Sequence, residues 1–302
     1  MPKISVVLAT YNEEKNIDLC LESVKDIADE IIVVDGSSTD KTREIAKQLG
    51  ARVIKTTNPP IFHINKQKAL TAATGEWILQ LDADEKVTPL LAAEIRKVAS
   101  MGNEEIGNYQ KSLPNRKLFL RHQKLLEERD GAVGTPTGDY AAFFIPRDNW
   151  FLGKFLHYGG AYPDGVIRLV KKGKAYFPAK SVHEQIVVNG KVGWLQHSLI
   201  HLDSPTFTRY LEKNSRYIDL IASELRRDKV GKNPIQFFHY FLIKPLWWFL
   251  LTQIRHKGIL DGFQGIIFSF FSSLRFPRAY WRYITKNERH SLKNDRNSFG
   301  ND

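Results

Sequence analysis

The first hundred residues alternate between short apolar, β-branched runs and amphipathic stretches, and three of the four runs end in an acidic, turn-forming cluster. The runs fall at residues 4–9, 30–34, 52–55 and 77–81. Continuous apolar runs of this length predict strands buried on both faces of a parallel sheet. Between the first two, Ile17, Leu21 and Val24 recur at helical spacing. Ser38, Thr39 and Asp40 supply helix-capping side chains, and Gly50 and Gly75 follow the next two helical patterns as stops. Pro89 suits the first turn of a further helix. Such alternation predicts an α/β fold with a mainly parallel sheet and right-handed crossovers. Sheets of that kind bind ligands outside the carboxyl ends of their strands. The segments to examine are therefore Thr10-Tyr11-Asn12-Glu13-Glu14, Asp35-Gly36-Ser37-Ser38-Thr39-Asp40 and Asp82-Ala83-Asp84-Glu85.

The chain of 302 residues allows one large domain or two modest ones. Residues 100–138 are polar and read as an insertion or lid carrying a helix near 116–128. Strand patterns return at 140–146, 166–171 and 175–178, and residues 181–188 and 192–201 alternate around a turn at Asn189-Gly190. A helix is predicted over 206–227. The single cysteine, Cys20, excludes an internal disulfide framework and a multi-cysteine metal site. The strand pattern starts at Ile4, and no signal peptide is expected ahead of it.

Asp82 and Asp84 straddle one residue just past a buried strand. Two carboxylates so placed offer hard oxygen ligands to Mg²⁺ or Mn²⁺ carrying a diphosphate. The competing reading is a loop whose aspartates cap a helix. Glu13 and Asp35 end neighbouring strands, where a carboxylate can accept from a base edge or ribose hydroxyls, or satisfy its own turn. The sequence has neither a G-x-G-x-x-G nor a G-x-x-x-x-G-K-[ST] motif, which disfavours dinucleotide and P-loop binding.

Together, Ala9-Thr10-Tyr11-Asn12-Glu13-Glu14, Val33 to Thr42 and Leu81-Asp82-Ala83-Asp84-Glu85 resemble the signature blocks of family 2 glycosyltransferases of GT-A fold. The resemblance implies a nucleotide-sugar donor, with Glu13 and Asp35 at the nucleoside and Thr10, Tyr11 and Ser37 beside them. It implies Asp82 and Asp84 at a metal–diphosphate, with Lys66 as a phosphate contact. Further on, Tyr162 to Leu169, Val182-His183-Glu184-Gln185, Gly193-Trp194-Leu195 and His201 resemble the bacterial lipopolysaccharide-core glucosyltransferases. In all, the resemblance spans roughly residues 4–220. It implies a third metal ligand in His201, against a reading as a core or edge histidine. Arg168 pairs with phosphate or base, or forms a structural salt bridge. Inverting transfer to a hydroxyl needs a carboxylate base. Glu184 is the candidate and Asp164 the alternative.

The net charge is +11, and from Gly231 onward eleven basic residues face four acidic ones, a local excess of 11 − 4 = +7. Three of the six tryptophans lie there: Trp247, Trp248 and Trp281. Two apolar runs, 235–251 and 259–274, fall short of the ~20 residues a spanning helix needs. Flanked by cations, they predict helices lying in an anionic membrane interface, against a reading as packing helices. Long aliphatic runs suit lipid better than stacked bases, so no nucleic-acid partner is expected.

The expected organisation is a GT-A domain over 1–230 and a helical membrane-associating region over 231–290. The donor half of the domain is expected at about 1–100 and the acceptor half at about 139–230. Residues 291–302 are expected to form a disordered tail. The expected activity is metal-dependent inverting transfer from a UDP-sugar to a lipid-anchored or cell-envelope glycan, at the cytoplasmic face of the membrane. The alternatives are a transferase acting on polyprenyl phosphate and a non-catalytic binder of nucleotide or glycan.

Overall fold

In a computed structural model, residues 1–178 and 185–285 are described. The chain divides into two compact units, residues 1–149 with 162–202, and residues 150–161 with 203 onward. The first unit is built on a seven-stranded sheet. Its strands are β1 (Ile4–Thr10), β2 (Glu30–Asp35), β3 (Arg52–Lys55), β4 (Trp77–Leu81), β5 (Tyr140–Ile145), β6 (Val166–Lys171) and β7 (Lys191–Trp194). They lie in the order β7-β5-β6-β4-β1-β2-β3. Neighbours β1 and β2, β1 and β4, β2 and β3, and β5 and β7 pair in parallel. Only β6 runs the other way, antiparallel to both β4 and β5.

Side chains alternate across this sheet with period two. Val6 and Leu8 of β1 join Leu79, Leu81, Phe143 and Leu169 on one face, under Ile17, Leu21, Leu91, Ile95 and Val98. Those last five belong to helices α1 (Ile17–Glu22) and α4 (Pro89–Ser100). Val7 joins Ile32, Val34, Ile78 and Phe144 on the opposite face, against Ala69, Leu70 and Phe119. A helix thus covers each face, as buried parallel strands require. Leu79 and Leu81, like Val6 and Leu8, have no exposed surface.

The antiparallel strand decides what the sheet edge carries. Parallel strands β1, β2, β4 and β5 finish at the edge where β6 begins. The segments after Thr10, Asp35, Leu81 and Ile145 therefore meet the segment before Val166. A short antiparallel pairing adds to this edge, with Glu85 opposite His201 and Lys86 opposite Ile200.

The polar stretch after α4 holds two helices rather than one, α5 (Asn103–Ser112) and α6 (Arg116–Asp130). Phe119 and Ile106 bury their side chains. Through these two side chains the segment packs into the cores on the two faces of the sheet.

The second unit is helical. Helix α7 (Phe207–Arg227) packs Ile218, Ala222 and Leu225 against Ala279, Tyr280 and Tyr283 of the helix Arg275–Thr285. Residues 234–255 run as alternating α and π turns. Pro245 cannot donate to the carbonyl of Phe241, and the π turn His239–Ile243 takes up that mismatch. Thr252 Oγ1 donates to the carbonyls of Trp248 (2.9 Å) and Phe249 (3.0 Å), where the second π turn begins. No helix among the described residues is long and apolar enough to cross a membrane.

Candidate active site

The turns after β1 and β2 are stitched to each other. The Asn12 amide N–H donates to Ser38 Oγ (2.9 Å), and Asn12 Oδ1 accepts from the Thr39 N–H (2.9 Å). The Glu13 N–H donates to Thr42 Oγ1 (2.7 Å), and Glu13 Oε2 accepts from Asn16 (2.9 Å). Asn12 and Ser37 both adopt positive φ, 55° and 64°, which asparagine tolerates better than most residues. Tyr11 stands exposed beside them.

Asp35 is fully buried. It accepts from the Ser38 N–H (2.8 Å), from Ser38 Oγ (2.5 Å) and from Thr10 Oγ1 (3.1 Å). Its carboxylate builds the turn that carries Ser37, whose own hydroxyl donates to the Thr56 carbonyl (2.7 Å). Thr10 and Asp35 therefore act beneath the surface of the edge.

Beyond β4 the two motif aspartates part company. Asp82 is gripped by two cations, Lys66 Nζ at 2.6 Å and Arg168 Nη2 at 2.5 Å. Burial alone would raise its carboxyl, but Arg168 and then Lys66 hold it well below the usual carboxylate range. Lys66 comes from helix α3 (His63–Ala72) and is itself buried, which lowers its ammonium from the ordinary lysine value against the pull of Asp82. Arg168, buried on β6, also contacts Glu85 Oε1 (2.8 Å) and donates to Gln80 Oε1 (2.6 Å). Its guanidinium is engaged in these salt bridges.

Asp84 points elsewhere. Its Oδ2 lies 3.7 Å from His201 Nε2, and the Leu202 N–H donates to the Asp84 carbonyl (2.8 Å). His201 Nδ1 is 2.6 Å from Asn149 Oδ1, and Asn149 Nδ2 donates to Asp164 Oδ2 (2.9 Å). Arg147 Nη2 pairs with that same oxygen at 2.8 Å. Burial raises the Asp164 carboxyl, but Arg147 and the Asn149 hydrogen bond prevail and leave it low. A carboxylate held down by two donors is a weaker proton acceptor than an open one.

Could these side chains hold a divalent cation? Ligand atoms ~2.1 Å from a common ion lie about 3 to 4.2 Å apart, and Asp84 and His201 meet that spacing. Asp82 does not join them, since Lys66 and Arg168 occupy both its oxygens. No group of three or more His, Cys, Asp or Glu side chains among the described residues is arranged around a metal. The fit is a two-ligand one, with room for donor phosphate oxygens and water as the remaining ligands.

Glu184 lies outside the described residues, as do residues 291–302. Sequence reasoning gave no role to Glu85, Arg147, Asn149 or Gln80, which tie the site together. A signal for two of them existed: Arg147 and Asn149 follow a strand end, as the three acidic clusters do.

Comparison with known proteins then identifies the class. The family model described as Glycosyl transferase family 2 matches residues 5–154. An uncharacterized glycosyltransferase of Rickettsia prowazekii is 40% identical over 92% of this chain and 87% of its own. Another, of Rickettsia typhi, is 29% identical over 98% of this chain and 92% of its own. Among solved structures, S. aureus TarS is similar at a TM-score of 0.42 and 16% identity, over 90% of this chain and 54% of that one. This chain thus spans about half the TarS length. Mycobacterium tuberculosis glucosyl-3-phosphoglycerate synthase in complex with phosphoglyceric acid is similar at 0.41 and 17%, over 77% and 82%. The chain belongs to glycosyltransferase family 2, with an α/β, GT-A-like fold.

The ion pairs have a consequence for acid stability. Asp82 and Asp164 have folded-state values below those of the unfolded chain, about 4. Their contribution is therefore complete above pH ~4 and lost as pH falls through the folded values. The urea midpoint should drop steeply below pH 4, and Asp164→Asn should make that drop shallower. A midpoint equally steep in the variant would contradict the assignment to Asp164.

Proposed function

We propose that this glycosyltransferase moves a sugar from a nucleoside-diphosphate sugar, a UDP-sugar by preference, to a hydroxyl of a lipid-anchored or envelope glycan. Inversion at the anomeric carbon, use of Mg²⁺ or Mn²⁺ and work at the cytoplasmic membrane face complete the reading. The observation that carries it is the meeting of Asp84 and His201 at 3.7 Å on the edge where β1, β2 and β4 end. Glu13 and Tyr11 border the nucleoside position on the same edge. Asp84 and His201 would hold the cation, which supplies positive charge opposite the leaving diphosphate. Asp82 keeps the Lys66 and Arg168 cations in position nearby. The acceptor oxygen attacks the anomeric carbon as the bond to the diphosphate breaks, and the diphosphate leaves with the electron pair. The hydroxyl proton passes to a carboxylate, for which Glu184 is the candidate.

The second unit supports membrane association. Leu242, Leu246, Leu250 and Ile254 recur every four residues and are exposed, as are Ile235, Trp247, Ile259, Leu260 and Phe263. Exposed apolar side chains clustered in one segment point to an interaction face. Some of the flanking cations are engaged within the unit. Lys244 Nζ sits over the Tyr240 ring at 4.6 Å, the Arg275 guanidinium over Trp248 at 4.5 Å, and Arg282 pairs with Asp219 at 2.8 Å. Apolar burial therefore carries more of the binding than the charge count alone implies.

Three outcomes are expected. Asp84→Ala abolishes Mn²⁺-dependent UDP binding in calorimetry while the circular dichroism spectrum is kept; undiminished binding would overturn the metal assignment. Glu184→Gln lowers turnover by roughly 10²–10⁴-fold with donor affinity little changed. Full turnover in that variant would point to an acceptor that is already ionised, such as a polyprenyl phosphate. Finally, the full-length protein floats with anionic liposomes and is only partly released by high salt. A protein that never floats would make the apolar stripe a packing or dimerisation face.

A further inference from the structure

We infer that Asn149 is a positioning residue for His201, with its amide oriented by Asp164. The inference rests on the metal reading above and assigns the group that prepares one of the two ligands.

Hydrogen-bond sense orients each group along this chain. The ionised Asp164 carboxylate only accepts. Its Oδ2 lies 2.9 Å from the Asn149 amide nitrogen, which must therefore be the donating end. That leaves the Asn149 carbonyl oxygen facing His201 Nδ1 at 2.6 Å. A carbonyl cannot donate, so Nδ1 carries the proton. A neutral imidazole protonated on Nδ1 has its lone pair on Nε2. Nε2 is the atom 3.7 Å from Asp84 Oδ2, a separation that suits two ligands of one cation.

The start of this chain is itself pinned. Arg147 Nη2 holds Asp164 Oδ2 at 2.8 Å, and Arg147 Nε donates to the Asp164 carbonyl at 3.3 Å. Asp164 sits at φ 38°, in the left-handed region, between Pro163 and Gly165. Residues there persist when the surroundings hold them. Arg147, Asp164 and Asn149 thus select the tautomer that a metal-binding Nε2 requires, whereas free histidine favours the proton on the other nitrogen. Outer partners of this kind typically change metal affinity 10–100-fold.

The test reads the tautomer without metal and the affinity with it. In protein labelled with ¹⁵N-histidine, long-range ¹H–¹⁵N spectra of the metal-free chain should show His201 protonated on Nδ1. Asn149→Leu should move the proton to Nε2 and weaken Mn²⁺ binding, followed by electron paramagnetic resonance, about 10–100-fold. Should Asn149→Leu fail to fold, Asp164→Asn keeps the shape but frees the Asn149 amide to turn, and a mixed tautomer population should appear. A wild-type His201 protonated on Nε2 would overturn the inference, as would Mn²⁺ affinity unchanged when the tautomer switches. Mn²⁺ affinity unchanged in His201→Ala would instead overturn the metal reading on which it rests.

Discussion

The guanidinium of Arg168 is the interaction on which the site depends. It lies buried on β6, the antiparallel strand of the seven-stranded sheet, and reaches three side chains at the end of β4: Gln80, Asp82 and Glu85. A buried ion pair is weak evidence for stability in itself, because desolvation offsets the attraction. Breaking it is another matter, since Glu85 has almost no exposed surface and would keep only Arg147, at 3.5 Å, as a cationic partner. The geometry follows from this anchor. Glu85 Oε2 accepts from the Asp82 N–H (3.0 Å) and closes the turn, and Glu85 pairs with His201 in the short antiparallel ladder. Asp84, between them, is left facing the imidazole.

Four aspartates that look alike in sequence are sorted by their surroundings. Asp35 is spent on the Ser38 turn, Asp82 on two cations, and Asp164 on Arg147 and Asn149. In a medium of lower dielectric than water, partly buried carboxylates such as Asp82 and Asp164 need such compensation to stay ionised. The D-x-D spacing alone treats Asp82 and Asp84 as equals. The fold separates them because a basic residue from α3 and another from β6 converge on only one.

Much of this was readable from the residues. Buried strands announce themselves as apolar runs, and the four of the first hundred residues lie where the pattern placed them. The acidic clusters share one edge because parallel strands end together. Less legible was the insertion of β6 between β4 and β5, since strand order depends on contacts between residues about ninety positions apart. Helix α5 escapes a reading of the sequence because NEEIGNYQKS is mostly polar and buries a single Ile106. Residues 150–161 join the C-terminal unit through Asp261, which accepts from the His157 and Tyr158 N–H groups (3.2 and 2.8 Å). No local pattern reports such a contact. Arg147 and Asn149 are ordinary polar residues until the fold brings Asp164 and His201 beside them.

The edge formed by β1, β2, β4 and β6 is the proposed place where a nucleotide sugar is bound and its anomeric bond weakened. Release of nucleoside diphosphate from a panel of nucleotide sugars, by the purified full-length protein without acceptor, tests that most directly. Slow hydrolysis of one donor, dependent on Mg²⁺ or Mn²⁺ and lost on chelation, is the predicted result. No release from any nucleotide sugar, with no binding of any of them in the presence of either cation, would contradict it.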